Sequence, residues 1–493
     1  MIRVSCVSVD LINADKPPAV LAFMAGACEK VQAEYQAVSL NSEFLKHLAA
    51  DDYDKIYKNI KLNRISEFID IIDPIISSVV DRVQHFNSEH LLVSLFSWAQ
   101  FELAKFFLSK IRETGFKGLI IAGGPGIGPV NFESISNGRR LAQQGLIDYY
   151  CLGEADQVLP LYLMGDTKQI GLNSRKSLSD TWVPQIDNLE EAYLMPSYKK
   201  IETTVYKNLE CKSDIVYSIS ASRGCVRRCT FCDVGKSWPK FRFRSGSSVA
   251  KEILQHHNDV GAMHFTIVDS LINGSLKSFK DFNENMVKLK HDYTSLSDFS
   301  YNGMFIVRDS QSHPETLFKL MKDAGCESLA IGVETGSDRL RFEMDKKFTN
   351  HDLDHHLEMC QKYGIRNTFL TFVGYPTETQ SDFEQTLEML YRYQKYLIDN
   401  TIIGINHSGL FTILPHTPVY DNRENLGIEL YRDDYEKLGW YNTHNPELTV
   451  KARIIRDLTF RKTALQLRYP IPYSERYLEY LKEIDPFFMP ESD

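Results

Sequence analysis

The chain has 493 residues, 43% of them hydrophobic and 25% charged, with a formal net charge of −9. That length exceeds what a single core serves, so two or three domains are expected, and the acidic balance argues against a general nucleic-acid or membrane-surface binder. No apolar run is long enough to span a bilayer, and Asp10, Asp15 and Lys16 interrupt the first apolar stretch, unlike an export signal, so a cytoplasmic protein is expected.

In chain order, residues 3–9 read as a strand, 17–31 as a helix opened by two prolines, and 34–40 as a second strand. Residues 42–86 carry apolar positions at helical spacing (Ile56, Ile60, Ile65, Ile69) and read as a helical insertion. The rhythm resumes with a strand at 90–96, a helix at 101–113, and strands at 118–122 and 147–152. Such alternation predicts a parallel sheet covered on both faces, a Rossmann-like domain over residues 1–164. Ligands on such sheets lie outside the carboxyl ends of the strands, which here carry residues 94–98, Gly123, Gly124, Gly153 and Glu154.

Residues 165–214 hold prolines and charges without a clear period and are read as a linker. A second alternation follows, with strands near 215–221, 263–268, 299–306, 327–333, 366–373 and 402–411. The clearest intervening helices fall at 247–257, 314–324, 353–363 and 382–396. Six strand–helix units over 215–414 are too few for a closed barrel and predict an open, partial (β/α)6 one. Beyond 415 the chain is rich in tyrosine and charge and is expected to form a helical region, with a helix at 450–469, packed on the barrel mouth.

Nine cysteines in a chain of this size make no disulfide framework. Six are scattered (Cys6, Cys28, Cys151, Cys211, Cys326 and Cys360), mostly in apolar surroundings where a free thiol behaves as a small hydrophobe. Three are clustered in Ser222-Arg-Gly-Cys225-Val-Arg-Arg-Cys229-Thr-Phe-Cys232. A CxxxCxxC loop offers three thiolates to a cubane that normally takes four, leaving one iron open to a non-protein ligand. A zinc site is the competing reading, but zinc favours four closed ligands in paired spacing and no partner pair is evident.

With an aromatic residue, Phe231, directly before its third cysteine, this triplet resembles the radical S-adenosylmethionine (SAM) superfamily. The resemblance implies a 4Fe–4S cluster on Cys225, Cys229 and Cys232 whose open iron chelates SAM. It implies reductive cleavage of SAM to methionine and a 5′-deoxyadenosyl radical that takes hydrogen from a substrate.

Later strand ends fit the same resemblance. Residues 264–270 end in Asp269 and Ser270, which in the resemblance contact the SAM amino group and which otherwise read as a helix cap or turn. Residues 304–309 bring Arg308 to the third strand end, suited to the SAM carboxylate by its forked geometry or else to a surface ion pair. Leu329-Ala-Ile-Gly332-Val-Glu334-Thr-Gly336 ends an apolar strand in a carboxylate between glycines, which pure packing does not explain. Glu334 is thereby the best candidate for the SAM ribose or amino group. Gly374 would let the backbone approach adenine, while Glu378 is expected to cap the next helix. The loop 414–418 also has the look of this superfamily, without an assigned role.

A parallel α/β domain ahead of such a barrel resembles the cobalamin-binding-domain class of the superfamily. That resemblance rests on the prolines at 17–18, on Ser94 to Trp98, on Gly123, Gly124 and the following proline, and on Gly153 and Glu154. It implies cobalamin as a second cofactor, held by Ser94, Trp98, Gly123, Gly124, Gly153 and Glu154, although each also reads as part of a tight strand-to-helix turn. The D-x-H-x-x-G signature of a lower axial histidine is absent, which leaves open cobalamin without that ligand, or a degenerate domain that binds none. A nicotinamide site fits less well, since residues 123–128 do not match G-x-G-x-x-G after the first strand.

The seven basic residues Arg223, Arg227, Arg228, Lys236, Lys240, Arg242 and Arg244 crowd the cysteine loop against the single Asp233. They read as a docking face for an acidic electron donor such as flavodoxin or ferredoxin, as a receptor for an anionic substrate, or as an ordinary solvated loop. The run from His351 to His356 reads as a solvated helix face rather than a metal site. The activity expected is cobalamin-dependent methylation of an unactivated carbon in a small-molecule or peptide substrate. Radical rearrangement or cyclisation, a cobalamin-free radical SAM enzyme, and a non-catalytic cluster or cobalamin sensor are the alternatives.

Overall fold

The computed structural model describes residues 2–11, 16–61, 64–130, 135–177, 179–206, 215–430 and 439–472. It divides into two compact units, residues 1–219 with 248–266, and residues 220–247 with 267–493.

The first unit is built on a sheet of β1 (Arg3–Ser8), β2 (Glu34–Ser39), β3 (His90–Ser94), β4 (Leu119–Gly123), β5 (Tyr149–Cys151) and β6 (Leu172–Ser174). The order is β2-β1-β3-β4-β5-β6, parallel from β2 to β5. Strand β6 lies within the stretch read as a linker, and it joins the sheet antiparallel to β5, an edge pairing too short to leave a period in sequence. Residues Val4 to Ser8 of β1 are all buried, as a strand flanked by helices on both faces requires. The expected insertion folds as helices Leu40–His47, Ala50–Lys61 and Ile69–His85, and Ile56, Ile60, Ile72 and Ile76 enter the core cluster. Chain direction reverses across the sheet between β1 and β3, so the crevice at their carboxyl ends is the topological switch point.

The second sheet has the order β14-β13-β12-β11-β10-β7. Its strands are β7 (Val216–Ile219), β10 (His264–Ile267), β11 (Ser300–Phe305), β12 (Cys326–Glu334), β13 (Arg366–Val373) and β14 (Ile402–Leu410), with a two-residue hairpin of β8 (Ser222–Arg223) and β9 (Arg242–Phe243) after the first. Pairing in sequence order, parallel through β11 to β14, gives the open (β/α)6 barrel. Helix Leu276–Asp292, unremarked in the sequence, supplies the crossover between β10 and β11. The tail is not wholly helical. Ile428–Leu430 (β15) and Trp440–Asn442 (β16) form an antiparallel pair, and Trp440 and Ile428 join Phe372, Phe411 and Met344 in one apolar cluster. Helix Val450–Gln466 then packs on β13 and β14. It is tied there by His407, which bridges the Thr371 hydroxyl and the Asp457 carboxylate at 2.8 Å each. Among the described residues no helix is long and apolar enough to cross a membrane.

Candidate active site

The cysteine loop leaves β7 through the β8–β9 hairpin and is pinned at both ends. Gly224 has φ +84°, and a side chain there would strike the Lys240 carbonyl at 2.6 Å, so only glycine turns the chain at this point. Farther on, Thr230 N–H donates to the Met344 carbonyl at 3.2 Å, its own carbonyl accepts from Val419 N–H at 2.9 Å, and its hydroxyl meets Tyr375 Oη at 2.8 Å. The second of these contacts gives the loop after residue 414 a place: it braces the cysteine loop from the far side.

Cys225, Cys229 and Cys232 all line one cavity of about 530 Å³, together with Phe231, Ser270, Glu334 and Arg227. Burial is the main influence raising all three thiols, Cys229 to about 11, and Lys346 opposes it. Among the described residues no three ligand side chains converge on a single metal ion. A cubane does not require convergence, because each thiolate holds its own iron, and three half-buried thiols on one cavity wall suit it. Phe231 packs edge-on against Phe372 at 5.3 Å and is capped by Lys346 Nζ at 5.8 Å.

Glu334 stands opposite. The pairing of β12 with β13 shifts register between Gly332 and Glu334, and Glu334 takes φ +63°, a left-handed backbone that costs a non-glycine residue about 1–2 kcal/mol. This bulge turns its carboxylate toward Lys346, whose Nζ donates to Oε1 at 2.8 Å. Burial alone would depress the Lys346 ammonium, but the charges of Glu334 and of Cys229 outweigh it and hold the group above its ordinary value. A side chain at Gly332 would meet Glu334 Oε1 at 2.4 Å and Lys346 Nζ at 2.6 Å, which explains the glycine before the carboxylate. Sequence reasoning missed Lys346. Its one trace is a lysine following a short helix (Asp338–Glu343), and nothing in that spacing indicates that the chain folds back on the cysteines.

The other expected SAM residues divide. Ser270 lines the cavity. Asp269 does not: its carboxylate is fully engaged by the Ala221 N–H at 2.9 Å and by the hydroxyls of Ser222 at 2.7 Å and Ser220 at 3.3 Å. It clamps the root of the cysteine loop, and burial raises its carboxyl to about 6 against those hydrogen bonds. Gly374, at φ +83°, faces Arg453, whose side chain a Cβ would strike at 2.9 Å; its glycine serves the packing of the last helix. Glu378 is not a helix cap. It accepts from Gly374 N–H at 3.0 Å and from Arg456 at 2.7 Å, while Thr379 and Asp382 form the capping box. Arg308 follows directly on Met304, Phe305, Ile306 and Val307, which line the cavity, and its Nη2 reaches the Asn273 carbonyl at 3.5 Å. Of the seven basic residues, Arg242 and Arg244 are buried, since Arg244 donates to the Ser220 carbonyl at 2.9 Å. His356 is likewise buried, bonded to Asn367 at 3.0 Å, so the histidine run is only partly a solvated face. Cys6, Cys28, Cys151, Cys326 and Cys360 are buried, and Cys211 lies outside the described residues.

In the first unit, Ser8, Ser94 and Gly123 stand side by side in register at the switch point. The hydroxyl oxygens of Ser8 and Ser94 are buried there without a hydrogen-bond partner, which native interiors rarely tolerate. Gly123 faces open space, and Gly124 (φ +98°) lies so close to the Leu95 carbonyl that a Cβ would approach it at 2.4 Å. Phe96 and Trp98, on the loop after β3, are 58% and 47% exposed. The loop is held by Asp10, whose carboxylate accepts from Phe96 and Ser97 N–H. Gly153 packs on Val183, and Glu154 accepts from Ile186 N–H at 3.1 Å, so these two lie against the segment leading to the next helix rather than in the row with Ser94. Orphaned hydroxyls, open glycine and exposed aromatic surface fit a large ligand with both polar and apolar parts, as cobalamin is.

The Radical SAM superfamily description matches residues 219–390. Among characterised proteins, the chain is 26% identical over 181 residues to the tRNA-2-methylthio-N(6)-dimethylallyladenosine synthase of Sulfurihydrogenibium sp. (strain YO3AOP1), covering 35% of this chain and 39% of the relative. It is 25% identical over 240 residues to the protein of that name from Bacillus anthracis, covering 46% and 43%. The match thus spans about two fifths of these relatives' length. Among solved structures, the radical S-adenosylmethionine methyltransferase TsrM from Kitasatospora setae, with cobalamin and a [4Fe–4S] cluster bound, superposes with a TM-score of 0.63 at 16% identity over 93% of this chain and 85% of that one. The cobalamin-dependent S-adenosylmethionine radical enzyme OxsB gives 0.64 at 16% identity over 98% and 70%. These likenesses establish a shared fold.

Proposed function

From the match of residues 219–390 to the radical SAM superfamily, we propose that this chain is a cobalamin-dependent radical SAM enzyme that methylates an unactivated carbon. The observation that carries the reading is the cavity in which three cysteines face the Glu334–Lys346 pair. When bound, the cluster supplies the electron that cleaves SAM to methionine and a 5′-deoxyadenosyl radical, and cobalamin supplies a carrier for a methyl group.

The chain's own residues bind and orient. Cys225, Cys229 and Cys232 hold the cluster and leave one iron open. Glu334 accepts from the SAM ammonium, and Lys346, kept charged beside it, donates to the SAM carboxylate. Ser270 adds a hydroxyl to the same wall. Phe231, Phe348, Phe372 and Phe411 line the cavity with apolar surface that excludes water from a reactive radical. The row of Ser8, Ser94, Gly123 and Gly124, with Trp98 beyond it, is the proposed cobalamin cradle, supported by the orphaned hydroxyls and by the shared fold with two proteins whose structures hold cobalamin. Lys236, Lys240 and Arg228, exposed near the cysteine loop, are proposed to meet the acidic electron donor.

The test is anaerobic reconstitution with iron, sulfide and hydroxocobalamin, followed by mass spectrometry of the products formed from SAM under reduction. Methylation yields 5′-deoxyadenosine together with S-adenosylhomocysteine. Deoxyadenosine without the homocysteine product favours rearrangement or cyclisation, and the absence of both products contradicts the enzyme reading.

A further inference from the structure

Two arginines in or next to the wall of the cluster cavity make no salt bridge among the described residues. Arg227, between the first and second cysteines, lines the cavity, and its Nε is buried without a hydrogen-bond acceptor. Arg308 follows the four cavity-lining residues of β11 and the turn after it, and its Nε is buried in the same unsatisfied state. Among the described residues neither is paired with a carboxylate. Asp309, next in sequence to Arg308, spends its carboxylate on the N–H groups of Gln311 and Ser312 at 3.0 and 2.9 Å and on the Ser312 hydroxyl. Burial first, and then the charge of Arg227, depress the Arg308 guanidinium, and the charge of Asp309 offsets this only in part.

Arg308 is held in this place. Asn273 bonds the Ile306 backbone in both directions, donating to its carbonyl and accepting from its N–H at 2.9 Å each, and His313 closes the same knot at 3.2 Å from Asn273. Burial holds His313 neutral, near pKa 3, so it adds no charge. Two like charges fixed together with unused donors destabilise a fold unless an anion joins them.

SAM has one carboxylate, and Lys346 already stands beside its proposed place with Glu334 for the ammonium. The arginines are therefore surplus to SAM. We infer that Arg227 and Arg308 form a subsite for the anionic group of the substrate, a carboxylate or phosphate carried on an apolar body that rests on Leu271, Met304 and Val307. Forked guanidinium donors suit both anions, and the apolar wall suits an aromatic or aliphatic remainder. This assignment rests on the proposed function and replaces the expectation that Arg308 meets the SAM carboxylate.

The experiment uses the reconstituted holoenzyme with saturating SAM and reads the thermal midpoint against phenylacetate, phenyl phosphate and the neutral phenylacetamide. The expected result is a saturable rise with the two acids and none with the amide. Arg308→Gln then needs at least tenfold more acid for the same rise, Arg308→Lys less than that, and the EPR change on adding SAM persists in both at unchanged iron content. An amide that acts like the acids, acids that have no effect on the wild type, or equal responses in Arg308→Gln would overturn the subsite. Loss of the SAM-induced EPR change in Arg308→Gln, with the response to acids intact, would overturn it by returning Arg308 to SAM. A wild type whose EPR signal ignores SAM contradicts the proposed function itself, and so is distinguishable from failure of the subsite.

Discussion

Lys346 Nζ lies 2.8 Å from Glu334 Oε1 on the cavity wall facing the three cysteines, and Glu334 reaches it only through a left-handed backbone at a strand bulge. Strain of this kind persists where surrounding structure imposes it, and it concentrates at sites that need a side chain aimed against the local regularity.

Removing the cation should therefore separate SAM binding from cluster binding. Lys346→Met is expected to weaken SAM about 10–100-fold, the equivalent of one charge-assisted hydrogen bond of about 1.5–3 kcal/mol, with iron content unchanged. Lys346→Arg should recover part of the loss. SAM titration followed by EPR of the reduced cluster measures both.

Asp269 carries a different expectation from the one its sequence position suggests. Asp269→Ala leaves the Ala221 N–H and the Ser222 hydroxyl without their acceptor at the root of the cysteine loop, while the Ser220 hydroxyl keeps the Ser222 carbonyl at 3.2 Å. Each buried donor so orphaned costs about 1–3 kcal/mol. The variant should take up less iron on reconstitution and melt lower, and Asp269→Asn, which keeps one acceptor oxygen, should fall between it and the wild type. A SAM contact, by contrast, would leave iron uptake unaffected.

The proposed cobalamin cradle predicts selective loss. Ser8→Val with Ser94→Val removes both orphaned hydroxyls, and Gly124→Val drives a side chain against the Leu95 carbonyl. Either change should lower retained hydroxocobalamin several-fold, read from its visible absorption after desalting, while the iron content of the cluster stays at the wild-type value.

Asp10 gives a pH signature. Burial raises its carboxyl from the ordinary 3.8 to about 6, against the Ser97 and Phe96 N–H groups that favour the charge. The folded protein thus holds this proton more tightly than the unfolded chain does. Its contribution to stability is greatest below pH 4, falls as pH rises from about 4 to 6, and is constant above that. Relative to Asp10→Asn, the wild type should lose about 3 kcal/mol across that window, measured by urea unfolding of the two proteins at each pH.

Much of this was visible in the chain. All six barrel strands and the first five strands of the amino-terminal sheet are marked by their apolar residues, which run on where both faces are buried, as in β1, and alternate where one face is less buried, as in β11 and β13. The cysteine spacing and Glu334 were equally legible, since a carboxylate ending an apolar strand has no packing explanation. What sequence concealed depends on contacts between distant segments. Asp269 looks like any strand-end carboxylate until Ser220, Ala221 and Ser222 are seen to surround it. Gly374 reads as a ligand approach, yet the atoms it makes room for belong to Arg453, 79 positions later. Lys346 gave no periodic or motif signal, and the short β6, β15 and β16 are below the length at which alternation can be read.

The central claim is that Cys225, Cys229 and Cys232 hold a cluster with an iron open to SAM. EPR of the anaerobically reconstituted and reduced protein, with and without SAM, tests it most directly. The account predicts the signal of a reduced 4Fe–4S cluster that changes shape when SAM is added and is absent from a Cys225→Ala, Cys229→Ala, Cys232→Ala triple variant. A cluster signal that SAM leaves unchanged, or one that survives in the triple variant, would contradict it.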